Sequence, residues 1–209
     1  MRHVPATTGL CGSDSSSQTA LHVATLLAFL RAGEQSAASA FNRIARRFSV
    51  GELQLASPQL AALISDERRH DRALATHCAT LPHVVVGDAT SRRFFRALES
   101  RAPTVHLARI AALDACVCHV LTRVLASATP QQLGESLAGL LSRIRSDEAR
   151  HVRATRDLAQ MLGADITLLR VINAEIREGF APLLNGRAPA FEALGVDCHR
   201  LVARIRREH

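Results

Sequence analysis

Apolar residues recur every three to four positions through most of this chain. Gly and Pro fall largely where that rhythm breaks, so the pattern reads as a succession of helices. Leu27, Leu30, Ala37, Phe41 and Ala45 share one stripe and predict a first helix over residues 18–48, after a flexible lead-in at 1–17 that contains Gly9, Gly12 and Ser15 to Ser17. Gly51 marks a turn. Ser57-Pro58 then reads as a helix start, with Ser as cap and Pro at the first position, for a second helix reaching Leu81 with Leu60, Leu63, Leu74 and Cys78 on one face. Pro82 to Ala89 is expected to cross over, and His83 to Val86 fits a short extended piece. A short helix over Ser91 to Ser100 precedes a third long one over Thr104 to Ser127, striped by Leu107, Ile110, Val117 and Leu121. Thr129-Pro130 repeats the cap-and-proline start for a fourth helix to Leu162, which Gly163 ends. Beyond it, Ile166 to Phe180 and Phe191 to Arg207 are amphipathic, separated by Pro182, Gly186 and Pro189. They are expected to pack outside the core or to form a subunit contact such as that of a homodimer. The pattern therefore predicts one all-α domain over 18–209, with a core of four long helices in two hairpins over 18–162 and outer helices over 165–209.

Four acids interrupt the apolar stripes. Glu34 lies in the first and Asp114 in the third, while Glu67 and Glu148 belong to two copies of an Asp-Glu-x-Arg-His pattern, Asp66 to His70 and Asp147 to His151. Positions i and i+3 of a helix share a face, so Glu67 with His70, and Glu148 with His151, each present a carboxylate and an imidazole to one ion. Glu34 precedes Glu67 by 33 residues and Asp114 precedes Glu148 by 34, so each hairpin returns to the level of its own upstream acid. A two-metal site in a four-helix bundle takes this form, with one carboxylate from each of two helices and Glu-x-x-His from the other two. Four buried carboxylates would repel one another and cost several kcal/mol each, roughly, unless compensated, and two divalent cations neutralise them. Oxygen and imidazole donors without thiolates suit iron or manganese better than structural zinc. The candidate ligands are Glu34, Glu67, His70, Asp114, Glu148 and His151. Asp66 and Asp147 are expected to hold the second ring nitrogen of the opposite motif's histidine, Asp66 with His151 and Asp147 with His70, and Arg69 and Arg150 to keep those aspartates ionised. His77 and His106 lie too far along their helices to join the site, and Cys118, His119, Glu175 and Glu178 are weaker candidates.

Composition adds limits. All 26 basic residues are Arg, giving a net charge of +7 that permits an anionic partner such as nucleic acid or an acidic carrier protein, without requiring one. Arg200, Arg204, Arg206 and Arg207 around Leu201, Val202 and Ile205 read as a solvated helix end. Cys11, Cys78, Cys116, Cys118 and Cys198 form an odd set without CxxC spacing, against a disulfide framework or a zinc site. The apolar run Ala20 to Leu30 is too short to span a bilayer and leads into the helix of Glu34, so a soluble cytoplasmic chain without a membrane span is expected.

The paired motifs, with Glu34 and Asp114 upstream, resemble the ferritin-like di-iron carboxylate superfamily. They are most similar to its oxygen-activating branch of bacterial multicomponent monooxygenases, acyl-carrier-protein desaturases, ribonucleotide reductase small subunits and arylamine N-oxygenases. The match covers about Glu34 to His151 and is specific for site and fold, not for substrate. The resemblance implies a ferritin-like four-helix bundle holding two irons, or a manganese–iron pair, with Glu67 and Glu148 bridging and Glu34 and Asp114 terminal. Asp114 stands where many members carry Glu, and the absence of Tyr and Trp rules out a stable tyrosyl radical. The resemblance also implies an O2-dependent oxidase or monooxygenase that hydroxylates, N-oxygenates or desaturates a small or carrier-bound substrate. Its pocket would be shaped by Leu30, Phe41, Leu63, Leu74, Val117 and Ile144. Its electrons would come from a separate reductase or ferredoxin, because no flavin, nicotinamide or iron–sulfur motif is present. The alternatives are a ferroxidase or peroxide scavenger, a di-iron tRNA hydroxylase, and a bundle that holds metal for stability alone.

Overall fold

The computed structural model describes residues 12–47, 50–83, 85 and 89–207, which form eight helices and no strand. These are α1 (Gly12–Arg47), α2 (Val50–Thr80), α3 (Ala89–Ala97), α4 (Pro103–Ser127), α5 (Pro130–Met161), α6 (Ile166–Asn185), α7 (Ala188–Ala193) and α8 (Cys198–Arg207). α1 packs on α2 and α4 on α5, and the two hairpins meet through α2–α5 and α1–α5 contacts. α6 lies along α4 with α8 against it, while α3 and α7 lie on α1. The result is a helical bundle with an outer layer.

The apolar stripes close a single core. Leu27 and Phe41 of α1, Leu74 of α2, Leu107 and Leu121 of α4, Leu141 and Ile144 of α5, and Phe180 of α6 are fully buried in it. At about 25 cal/mol per Å² of apolar surface removed from water, each contributes roughly 1.5–3 kcal/mol. α4 is long and apolar enough to cross a membrane. It packs against α5, α6 and α8, and it carries the buried Asp114.

Several boundaries differ from the sequence pattern. α1 begins at Gly12, six residues before the expected start at residue 18. Residues 1–11 lie outside the described part. α2 begins at Val50, with Gly51 inside it and Pro58 in its ninth position rather than at its start. Pro removes one hydrogen bond there without ending the helix, since the stripe beyond it is already committed to the core. His83 and Val85 are non-helical, and Val84 and Val86 lie outside the described residues.

At α5 the cap is as expected: the Thr129 hydroxyl accepts from the Gln132 amide and the Gln132 side chain accepts from the Thr129 amide, a reciprocal box. Gly134 then breaks the helix for one residue at φ +70°, a kink the apolar period does not encode. Gly163, at φ +93°, ends α5, and the following Ala164 amide donates back to Ala159 at 2.9 Å. α6 runs past Phe180 and through Pro182 to Asn185, while the stretch from Phe191 to Arg207 is divided at Gly195, φ +75°, into α7 and α8. The face of α8 bearing Leu201, Val202 and Ile205 is buried and its arginines project outward.

Candidate metal centre

α1, α2, α4 and α5 each turn one acidic residue inward at the same level, because each acid occupies a core position of its stripe. Glu34, Glu67, Asp114 and Glu148 are all buried, and so are His70 and His151. Ligand atoms of Glu34, Glu67, His70 and Glu148 lie within 4.8 Å of one another, as do those of Asp114, Glu148 and His151. Glu148 belongs to both groups. Glu67 belongs to the first and touches the second, with Oε1 3.0 Å from His151 Nδ1. All six residues singled out by spacing are thus brought together in two overlapping donor sets.

The imidazoles are oriented alike. His70 Nδ1 faces Glu34 Oε2 at 3.1 Å and Glu148 Oε1 at 3.5 Å, and His151 Nδ1 faces Glu67 and, at 3.7 Å, Glu148. Each Nε2 points outward to the aspartate of the opposite motif, His70 to Asp147 at 2.9 Å and His151 to Asp66 at 3.2 Å. An ionised carboxylate only accepts, so Nε2 carries a hydrogen, while Nδ1 faces the inner carboxylates and can become a ligand atom once it gives up its own proton. The arginines complete a clasp at the surface. Arg69 reaches Asp66 at 2.7 Å and Asp147 at 3.0 Å, and Arg150 reaches Asp147 at 2.6 Å and Asp66 at 3.4 Å.

Charge is balanced unevenly inside. Burial pushes the Glu67 and Asp114 carboxyls well up, reinforced by the neighbouring acids, and burial with Glu148 nearby raises Glu34. Burial also acts against ionised Glu148, yet the two imidazoles outweigh it and hold its carboxyl low. Desolvation disfavours the imidazolium forms, but the adjoining carboxylates outweigh it, so His70 is pushed up to about 10 and His151 to about 12. Asp66 and Asp147 lie below the usual range, because the histidine and arginine contacts overcome a modest burial cost.

No protein-family model, curated protein or solved structure matches the chain. The donor atoms themselves therefore decide whether metal fits. Glu67 Oε1, Asp114 Oδ2, Glu148 Oε1 and His151 Nδ1 are buried without a hydrogen bond, the Glu67–His151 approach being close but badly aligned. Buried polar atoms in folded proteins are nearly always satisfied, so four orphans converging on one spot fit cations in the gap between them. The cluster can hold metal ions through oxygen and imidazole nitrogen.

Of the weaker candidates, Glu175, Glu178 and Cys118 are engaged by other groups. Glu175 pairs with Arg109 at 3.0 Å and Glu178 with Arg206 at 3.0 Å, both exposed. Cys118 is half-buried and its thiol donates to the Arg145 carbonyl at 3.7 Å; burial, with Glu148 and Asp114 nearby, pushes it up to about 12. His106 accepts from the Ser100 amide at 3.0 Å, a structural role.

A small cavity of about 30 Å³ adjoins the acids, lined by Leu30 and Val117 as expected from sequence and also by Phe29, Gly33, Phe95 and Phe180. Phe41, Leu63, Leu74 and Ile144, the other residues expected to shape a pocket, are buried in the core. The phenylalanines were not legible as site residues, since nothing in a helical period says that α3 folds back on α1 or that Phe180 of α6 meets Phe29. The Phe29 ring lies tilted against Phe95 at 6.2 Å and Phe180 at 5.8 Å, Phe94 touches both of these, and the Arg187 guanidinium lies 4.2 Å from the Phe29 ring centre. The run Phe94-Phe95 on a short, strongly basic helix was the available signal.

Proposed function

We propose that this chain is a ferritin-like di-iron carboxylate protein that uses O2 to oxidise a small or carrier-bound organic substrate, by hydroxylation, N-oxygenation or desaturation. The observation that carries the reading is the inward convergence of six donors, four of them with orphaned atoms, from two Glu-x-x-His turns and two lone acids. Glu34, Glu67 and His70 would hold one ion, Asp114 and His151 the other, with Glu148 between them. Bound iron supplies the redox chemistry that reduces O2. The chain's own residues keep the ligands in place and dry: Asp66 and Asp147 fix the imidazole rings, Arg69 and Arg150 keep those aspartates charged, and Phe29, Phe95 and Phe180 exclude water. Electrons would come from a separate reductase or ferredoxin.

A cavity of about 30 Å³ has room for a water or two, and taken alone it also suits iron or peroxide as substrate. Oxygen uptake by Fe(II)-loaded protein separates the readings. The oxygenase reading expects a single burst of uptake set by the irons bound at the site, repeated only when electrons are resupplied and lost in Glu148→Ala. Continued oxidation of many added Fe(II) ions per chain without a reductant would favour the ferroxidase. No uptake by iron-loaded protein would overturn both.

A further inference from the structure

The cavity beside the acids has room for no more than the tip of an organic substrate, but a far larger space lies on the other side of the same turn of α1. A groove of about 620 Å³ runs between α1 and α3, within the range of roughly 300–1,000 Å³ that holds small ligands. Arg31, Arg43, Arg92 and Arg96 line it, together with Ser36 and Ser39. Arg31 is engaged by Asp71 at 2.8 Å, Arg43 by Glu99, and the Arg96 Nε donates to the Arg92 carbonyl at 3.3 Å. Four guanidinium groups against Asp71 and Glu99 leave the groove cationic, and Arg92 and Arg96, one helical turn apart on α3, are both exposed.

Phe95 links this groove to the metal centre, because its ring lines both the groove and the small cavity. The ring lies against Gly33, where a Cβ would stand 3.6 Å from its tip, and Gly33 directly precedes Glu34. Arg31 and Ser36 lie within one turn of Glu34 on α1, so the cationic groove and the carboxylates share a level of the bundle with Phe95 between them. We infer that the α1–α3 groove takes the oxyanion head of an organic substrate, a carboxylate or phosphate, whose apolar end reaches the metal centre past Phe95. This rests on the oxygenase reading and names its substrate class: a small amphiphilic anion. Guanidinium forks and hydroxyls are suited to such a head, and the apolar end finds Phe29, Leu30 and Val117 beyond the ring.

Calorimetry with octanoate, octyl phosphate, octanol and octylamine as probes, on the full chain with and without metal, tests the head group. Octanoate or octyl phosphate should bind, the tighter of the two identifying the head. Octanol and octylamine should bind roughly tenfold more weakly, and Arg92→Glu/Arg96→Glu should weaken the anion by roughly tenfold. Fe(II) titration of the same double variant serves as its folding control. Octanol binding as tightly as the anions, or a double variant that takes up Fe(II) and binds them undiminished, would overturn the proposal with the metal centre intact. On Mn(II)-loaded protein, the terminal methyl of octanoate should be broadened more than its C2 protons; the reverse order would also overturn it. If the wild-type chain takes up no metal, the centre itself falls, and the substrate role of the groove falls with it. Anion binding to metal-free protein shows which of the two has failed.

Discussion

On the proposed reading, Asp114 is the residue at which stability is given up for metal binding. Its carboxyl is buried and pushed well up, and its Oδ2 has no hydrogen bond, so in metal-free protein it is a cost to the fold. Asp114→Leu should therefore stabilise the metal-free chain by about 1–4 kcal/mol while removing one ion, as read by chemical denaturation and metal analysis. A destabilised variant that keeps both ions would show that Asp114 serves packing. Asp147 acts through His70, and Asp147→Ala should weaken metal binding by about 10–100-fold with helix content unchanged; unaltered affinity would deny it that role. The convergence of the six candidate residues and the crossed Asp–His pairing were legible because a helical period fixes which residues share a face. The partition of protons among them was not, since it depends on burial and on distances across helices that spacing does not contain.

Among the elements, glycine and proline decide where the sequence pattern and the structure part. Pro58 and Pro182 sit inside helices because a committed apolar face outweighs one lost hydrogen bond, whereas Thr129-Pro130 opens α5 because the cap is completed by Gln132. Thr129→Ala should cost about 1 kcal/mol in thermal or chemical unfolding. Gly195 at the α7–α8 joint holds φ +75°, and a Cβ there would lie 3.2 Å from the Ser127 carbonyl oxygen at the end of α4. Gly195→Ala is expected to destabilise by about 1–3 kcal/mol; a neutral result would mean that the joint relaxes. The number and order of the long helices could be read from periodicity. The kink at Gly134 and the break at Gly195 could not, because a lone glycine in an amphipathic run signals equally a tolerated helical residue and a left-handed turn.

For the whole molecule, the buried cluster ties folding to pH and, on the proposed reading, to metal. His70 and His151 are raised from 6.5 to about 10 and about 12, so their ion pairing contributes fully below pH 6.5 and is lost as pH rises through 10. The raised carboxyls of Glu67 and Asp114 act in the same direction, while the lowered Asp66, Asp147 and Glu148 lose their contribution only as pH falls into the acid range. Metal-free protein should accordingly melt at a lower temperature at pH 10 than at pH 6.5. Stabilisation by added Mn(II) should grow across the same interval as the ion replaces protons. Melting that rises with pH in metal-free protein would contradict the assignment. The aromatic wall and the basic groove emerge only at this scale, from α3 folding onto α1 and from Phe180 of α6 meeting Phe29. The paired metal centre is tested most directly by anaerobic Fe(II) titration of metal-free wild-type protein beside Glu148→Ala. Two ions per chain are expected in the wild type, with loss of both high-affinity sites in the variant. A wild-type chain that binds one ion or none, or a variant that still binds two, would contradict a paired centre that depends on Glu148.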